Sequence, residues 1–237
     1  MNKYKIIKSL SIASLITLSI GSIFPTTTQA KITFEPPKLD RPTQSAGGAS
    51  RGNSCVFDAL NTNNTLRPLL PSTNQGLTVA SHPTLLVHVP KTNAKTAFLA
   101  VRDITEEYDY QTIVPIGDRG GIVSLTLPES APDLELGKNY QWSLVLMCDG
   151  KLKPDSPVAQ GSIKRVALNL NVKNEAATAD MLENADLYAR SGIWYETIAT
   201  LAKLKIAQPN NNEVTATWEE FLGSVGLSDV AKAEFVE

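Results

Sequence analysis

The sequence has 237 residues, with 22 basic and 24 acidic side chains, and its hydrophobic content of 42% is ordinary for a folded globular protein. Its formal net charge of −2 argues against nucleic acid as a partner, because binding to phosphate requires a basic surface that displaces counterions.

The first 30 residues have the three parts of a secretory signal peptide. Lys3, Lys5 and Lys8 form the basic start, residues 10–24 are mostly apolar, and residues 28–30 place small side chains where a signal peptidase cleaves. A membrane anchor is the alternative, but this apolar run is diluted by serine, threonine and glycine and is shorter than the roughly twenty residues that a bilayer requires. We expect cleavage after Ala30 and a periplasmic or secreted protein without stable membrane insertion.

Cleavage would make the mature chain more acidic. The three lysines would be lost and no acidic residue with them, so the net charge would change from −2 to −5. This strengthens the argument against nucleic acid and extends it to anionic lipid surfaces. Residues 31–237 have the length of one medium domain with a small appendage.

Residues 31–54 have the composition of a flexible leader. Pro36, Pro37 and Pro42 are followed by the glycine-rich segment 47–52, and little in the stretch is apolar. The glycines do not form a phosphate-binding loop, because the Gly-Lys-Ser/Thr ending and a preceding apolar strand are missing from the sequence.

Cys55 and Cys148 are the two cysteines of the chain, and export would place both in an oxidising environment. One intramolecular disulfide between them is the expectation, and two unpaired cysteines are the alternative. A metal site is disfavoured because neither cysteine belongs to a Cys-x-x-Cys or Cys/His spacing. No cofactor is expected.

Between residues 78 and 170 the hydrophobic pattern has the period of two that is typical of β-strands. The clearest segment is 140–148, in which alternate residues are apolar and face the same side. Because no long helical period interrupts the strands, the predicted fold of residues 55–170 is an antiparallel β-sandwich. The strand candidates are residues 84–89, 97–103, 110–116, 122–127, 140–148 and 158–168.

The approach to the fifth strand resembles the tyrosine corner of immunoglobulin-like and fibronectin-type sandwiches. Residues 134–140 read Leu-Glu-Leu-Gly-Lys-Asn-Tyr, and the hydroxyl of Tyr140 would bond back to the turn. The resemblance implies an immunoglobulin-like sandwich in which Tyr140 is structural. Trp142 is expected in the core.

After residue 170 the hydrophobic period becomes helical, and residues 171–237 form the predicted helical segment. Three apolar stripes predict a helical hairpin and a third, capping helix, which end at Gly192, before Pro209 and at Gly226. The hairpin resembles one tetratricopeptide unit, and a single unit is expected to pack on the sandwich or on a partner. The stripes are Met181, Leu182, Ala185, Tyr188 and Ala189; Trp194, Ile198, Leu201 and Leu204; and Val214, Trp218, Phe221, Leu222 and Val225.

Trp194 follows the turn at Gly192, and we expect it to be buried within the chain. The exposed positions of the same helix would then carry any recognition. We predict partner contacts at Glu196, Thr200 and Lys203.

Several segments of the sequence form a set: residues 47–52 before Cys55, 76–78 with the strand after Pro83, 121–125, 142–148, 187–189 and 192–195. Together they resemble the exported cyanobacterial proteins grouped as domain of unknown function 928, and the most specific of them is Gly-Ile-Trp-Tyr at residues 192–195. The loop after Cys148 looks shortened relative to that family. The resemblance implies export and a shared fold, and no activity, because the family has none assigned.

The sequence nominates no catalytic residue. His82 and His88 are six residues apart, and an extended strand would separate them by roughly 20 Å, too far for one metal ion. No Gly-x-Ser-x-Gly elbow identifies a nucleophilic serine. Paired carboxylates could serve glycoside hydrolysis, but all are expected in solvated turns or on polar helix faces: Glu106 and Glu107, Asp133 and Glu135, and Glu219 and Glu220.

We therefore predict a non-catalytic binding or adaptor module of the cell envelope, with another envelope or secreted protein as its partner. A structural component of an envelope assembly is the alternative. A hydrolase that acts through carboxylates or a histidine-assisted nucleophile is a further alternative.

Overall fold

A computed structural model describes residues 32–37, 55–57, 65–103, 105, 107–117 and 119–236. The predicted signal peptide lies outside the described residues, as does most of the predicted leader. All described residues belong to one compact unit.

The chain forms eight strands, then four helices, and then a ninth strand. The strands are β1 (Arg67–Pro68), β2 (Gln75–Thr78), β3 (Thr84–Val89), β4 (Thr96–Asp103), β5 (Asp109–Pro115), β6 (Gly121–Thr126), β7 (Asn139–Leu146), β8 (Val158–Arg165) and β9 (Phe235–Val236). The helices are α1 (Leu170–Ala176), α2 (Met181–Arg190), α3 (Trp194–Ala207) and α4 (Asn212–Ser224). These counts refer to the residues that the structure describes.

The strands form two sheets and make the protein mainly β. One sheet has the order β1-β3-β6-β9 and the other the order β2-β8-β7-β4-β5. All six predicted strands are present as β3 to β8, with ends within three residues of the prediction. The sequence did not predict β1, β2 and β9, because strands of two to four residues are too short to show a period.

The prediction of a purely antiparallel arrangement is wrong. β2 pairs with β8 in parallel, and β6 pairs with β9 in parallel, so both sheets are mixed. The alternation of apolar residues identifies a strand, but it carries no information on the direction of the neighbour. Whether two neighbouring strands are parallel or antiparallel depends on the path by which the chain returns to the sheet.

One hydrophobic core joins both sheets to the helices. The predicted inner face of β7 is confirmed, because Tyr140, Trp142, Leu144 and Leu146 are each at most 2% exposed. The Trp142 ring needs a glycine opposite it. A Cβ added at Gly161 would lie 2.8 Å from the indole nitrogen, so no larger residue fits beside this ring without a shift.

The three predicted helices are present as α2, α3 and α4. Asp180 begins α2 with a capping box, in which its side chain accepts from the Glu183 N–H while the Glu183 side chain accepts from the Asp180 N–H. Gly192 makes the turn to α3 with a φ of +72°, which favours glycine. Helix α1 was not predicted, because none of its residues is buried and it has no apolar stripe.

Residues 32–37, which lie within the predicted leader, pack against the rest of the chain. Ile32 is 3% exposed, and the Phe34 ring packs edge-on against Trp194 with centroids 4.9 Å apart. The Glu35 N–H donates to the carbonyl of Ala189 at the end of α2. Apolar side chains at alternate positions anchor this segment, although the surrounding composition is that of a linker.

Helix α3 packs against β2 and β3. The predicted burial of Trp194 is confirmed, since it is fully buried, stacks on Phe221 and donates its indole N–H to the carbonyl of Leu69 across 3.0 Å. The helical segment therefore shares the core of the sheets.

Candidate functional site

Cys55 and Cys148 lie at disulfide-bonding distance, with Cα atoms 5.6 Å apart. The carbonyl of Cys55 accepts from the Thr92 hydroxyl and from the Asn93 N–H, which fixes this residue beside the turn that follows β3. The disulfide between Cys55 and Cys148 thus connects residues 55–57 to the end of β7.

The Tyr140 hydroxyl accepts a hydrogen bond from the Glu135 N–H across 2.8 Å. This is the bond to the preceding turn that the sequence predicted. The Tyr140 side chain is buried and its ring packs edge-on against Tyr108. Its hydroxyl is engaged in holding the turn.

The three predicted partner contacts do not form one exposed surface. Lys203 is exposed and Thr200 is half-buried. Glu196, which was predicted to be exposed, is half-buried: its Oε2 is buried, and its Oε1 accepts three hydrogen bonds. Helix α3 is covered on most sides, as its seven buried residues show, so even a charged position in its first turn faces the sheets.

The Glu196 carboxylate holds the loop that follows β2. Its Oε1 accepts from the Thr78 hydroxyl at 2.6 Å, from the Val79 N–H at 3.1 Å and from the Ala80 N–H at 3.0 Å. Its Oε2 is buried and has no hydrogen-bond partner within the described residues. Burial raises the pKa of Glu196, and the donors from Thr78 and the loop oppose that rise.

The next residues of this loop bring together a serine, a histidine and an aspartate. The Ser81 hydroxyl lies 3.2 Å from Nδ1 of His82, and Nε2 of His82 lies 2.9 Å from the Ala131 carbonyl and 3.4 Å from the Asp133 carboxylate. Because a carbonyl can only accept, Nε2 of the neutral ring carries the hydrogen and Nδ1 accepts from Ser81. The Leu134 N–H donates to the Ser81 carbonyl and joins the two loops.

The contact between Ser81 and His82 was not predicted from the sequence. The adjacent Ser-His pair was the available signal, but Asp133 comes from a turn far along the chain. The second histidine, His88 in β3, is separate: its Nδ1 contacts the Thr65 carbonyl, and burial lowers the pKa of His88.

Two members of the predicted carboxylate pairs contact a lysine. Glu107 and Glu135 both contact the Lys138 ammonium group, and Glu220 is exposed on α4. Glu106 lies outside the described residues. Within the part of the chain that the structure describes, no three histidine, cysteine, aspartate or glutamate side chains are grouped for a metal ion.

The outer face of the five-stranded sheet carries an apolar row. Phe98 in β4 pairs with Ile113 in β5 on one side and with Val145 in β7 on the other, and Val145 pairs with Val158 in β8. Ile113 is 57% exposed, and the other three are half-buried. The row therefore crosses four strands and ends at the sheet edge.

β5 forms that edge. Among the described strands, none pairs with its second side. Its residues alternate between exposed and half-buried along the whole strand, from Asp109 to Pro115. The sequence identified β5 as a strand but contained no sign that it would lie at an edge.

These features define a mainly β protein of two mixed sheets with C-terminal helices. A family model described as Domain of Unknown Function (DUF928) matches residues 46–235, and the chain belongs to this family. A search among curated proteins found no match. No helix in the described ranges is long and apolar enough to cross a membrane.

Proposed function

We propose that the chain is a binding or adaptor module of the cell envelope that recognises another envelope or secreted protein. The observation that carries this proposal is the apolar row of Phe98, Ile113, Val145 and Val158 on the outer face of the five-stranded sheet. Packing within the chain does not account for its exposure, and a contiguous apolar patch is typical of a protein interaction site.

Polar side chains border this row. Two residues along each strand, the same face carries Ala100 and three polar residues, which are Gln111, Ser143 and Gln160. An apolar centre with an uncharged polar border resembles the composition of protein interfaces, in which charged residues are depleted at the centre. This supports a protein partner rather than a highly charged ligand.

Two features support export. Residues 1–30 have the pattern of a signal peptide, and the cysteines at disulfide distance suit an oxidising compartment. We expect the mature protein to begin at Lys31, which sequencing of its N-terminus would establish. Recovery of the chain in washed membranes with Met1 to Ala30 intact would contradict cleavage.

We also propose the finer relationships of the fold. The Tyr140 bond to the turn supports an immunoglobulin-like sandwich. The α2 and α3 hairpin, with its turn at Gly192, supports a tetratricopeptide-like unit followed by the capping helix α4. On this proposal the helices brace the sheets, and the outer sheet face recognises the partner.

Photo-crosslinking in intact cells tests the proposed surface. A photoreactive residue at Val158 should capture one discrete heterologous protein, whereas the same residue at Glu220, on the exposed side of α4, should not. Capture from Lys203 alone would move recognition to the helices. A ladder of self-products would favour the structural alternative, and no capture from Val158 would contradict the proposal.

Hydrolysis at Ser81 is a second candidate function, favoured by the contact between Ser81 and Nδ1 of His82. In an attack on an ester, the Ser81 oxygen would bond to the acyl carbon while its proton passes to Nδ1. His82 would then return that proton to the departing alcohol, and water would release the acid. Asp133 would stabilise the imidazolium charge.

A fluorophosphonate probe separates this candidate from binding alone. Hydrolysis predicts labelling at Ser81 that is lost in Ser81→Ala and reduced by roughly 10²-fold or more in His82→Gln, since a general base contributes at least that much. Ser130→Ala, at an exposed serine of the neighbouring turn, is the matched control. Equal labelling of all variants, or none of the natural protein, would exclude this candidate.

A further inference from the structure

We infer that β5 pairs with β5 of a second copy of the chain, antiparallel and about a two-fold axis at Thr112. This inference deepens the proposed function and rests on it, because the pairing would join two outer sheet faces and place their apolar rows side by side. The occupant of the open edge is thus the same strand of another molecule.

The backbone direction of β5 shows which groups reach the open edge. The Ile116 N–H donates to the Lys95 carbonyl, and the Tyr108 carbonyl accepts from the Asp103 N–H, so both residues point toward β4. Backbone groups alternate along an antiparallel strand. The even-numbered residues therefore bond to β4, and Asp109, Gln111 and Ile113 direct their N–H and C=O groups outward.

A two-fold axis at Thr112 satisfies these outward groups. It places Gln111 opposite Ile113 of the second copy, where the two residues exchange N–H···O bonds in both directions. Asp109 lies opposite Pro115 of the second copy. Proline lacks an N–H, and in this register the missing donor falls at the end of the ladder rather than at its centre.

The side chains suit the same register. On the inner side of β5, Tyr110 meets Val114 of the second copy and Thr112 meets its own equivalent. Across neighbouring strands, a pair of an aromatic and a β-branched residue is favourable, and so is a pair of two threonines. Both pairs use half-buried side chains that the second strand would cover.

The charged side chains favour the antiparallel orientation. Glu107 and Asp109, at the start of β5, contact Lys138 and Arg102, whereas Lys95 and the exposed Arg119 flank its end. Antiparallel pairing brings Asp109 of one strand to the end of the other strand that Lys95 and Arg119 flank. A parallel pair would instead place Asp109 beside its own equivalent, and like charges directly opposite are destabilising.

The other sheet edges are less suited to pairing. β1 and β9 have two residues each. β2 has four residues, and its face packs against α3, since a Cβ added at Gly76 would lie 2.7 Å from the Tyr195 ring. With seven residues, β5 is the longest edge strand of the two described sheets.

The proposed contact between the two β5 strands is small, so the dimer should be weak. A seven-residue strand is about 24 Å long at roughly 3.4 Å per residue, and this single ladder is smaller than a standard interface of about 800 Å² per partner. We therefore expect a dimer that dissociates on dilution. A two-fold interface uses the same surface on both copies, so assembly stops at the dimer.

Sedimentation of the mature chain from micromolar to near-millimolar concentration measures the association, and mild oxidation of Thr112→Cys tests its register. Opposed non-hydrogen-bonded residues have Cα atoms about 4.5 Å apart, which is within disulfide range, so this variant should give a covalent dimer. Gln160→Cys, exposed on the outer face but away from the edge, is the matched control and should stay monomeric under oxidation.

Ile113→Pro removes an outward N–H without removing a bond to β4. It should abolish the dimer with little change in melting temperature, whereas Thr112→Pro should lower the melting temperature because it breaks the β4 ladder. A monomer at all concentrations, a dimer without the Thr112→Cys product, or higher oligomers would each overturn the inference. Capture of a heterologous protein from Val158 would still support the proposed function in those cases.

Discussion

The indole N–H of Trp142 donates to the hydroxyl of Tyr195 across 2.9 Å, and that hydroxyl donates to the carbonyl of Ser162 across 3.0 Å. One hydroxyl from α3 thereby serves two strands of the larger sheet. Burial raises the pKa of Tyr195 well above its ordinary value, so the hydroxyl keeps its hydrogen and can donate. This link couples the helical segment to the sheet.

Tyr195→Phe should lower the free energy of unfolding by about 1 to 3 kcal/mol, because it leaves the buried Trp142 N–H without an acceptor. Urea unfolding measures the change. Tyr188→Phe, at a half-buried tyrosine of α2, is the control and should change stability by less than about 0.5 kcal/mol. Equal effects of the two changes would show that the link contributes little.

Trp194→Ala should destabilise the whole protein by roughly 3 to 5 kcal/mol, the usual cost of truncating a large core residue. The fully buried ring contacts Phe34, Phe221 and the carbonyl of Leu69, so its removal affects three parts of the chain. Thermal and urea unfolding give the magnitude. Ile206→Ala, at a position 52% exposed on the same helix, should have little effect. Unchanged stability of the Trp194 variant would contradict its role in the core.

Peptide mapping of the unreduced protein should recover one pair of peptides that joins Cys55 to Cys148. Reduction should lower the free energy of unfolding by at most roughly 4 to 5 kcal/mol, since the bond closes a loop with a sequence separation of 93 residues. Two free thiols per unreduced chain would contradict the bond.

The long elements of this fold could be predicted because each repeats its pattern several times. The alternation from Tyr140 to Leu146 identifies β7 by itself, and the stripe from Trp194 to Leu204 identifies α3. β2 could not be found in this way, since its four residues are strand-forming only beside β8, which lies more than 80 residues further along the chain.

The polar contacts were less predictable than the elements, for a similar reason. Glu196 was placed on a helix correctly, but the direction it faces depends on Thr78 and the loop after it, which are 116 to 118 residues away. The Cys55 and Cys148 pairing was accessible because two cysteines allow one intramolecular bond. Ser81 and Asp133 had no such restriction on their partners.

Glu196 should make stability depend on pH in a direction that its burial determines. Because burial raises its pKa above the ordinary value of 4.5, the folded state keeps the proton to a higher pH than the unfolded state does. At pH values between the ordinary and the raised pKa, the folded state binds more protons than the unfolded state. The contribution of this group to the free energy of unfolding therefore falls as pH rises. The contribution is fully favourable only below the ordinary pKa of a glutamate.

Glu196→Gln removes this titration while it retains an oxygen that can accept from Thr78. Urea unfolding of both proteins from about pH 4 to pH 8 should show the natural protein losing stability relative to the variant as pH rises. Glu220→Gln, at an exposed position of α4, is the matched control and should show no such trend, which separates burial from the loss of one negative charge. A difference between Glu196→Gln and the natural protein that stays constant with pH, or that grows in favour of the natural protein, would mean that the donors from Thr78, Val79 and Ala80 stabilise the charged carboxylate at least as much as burial opposes it.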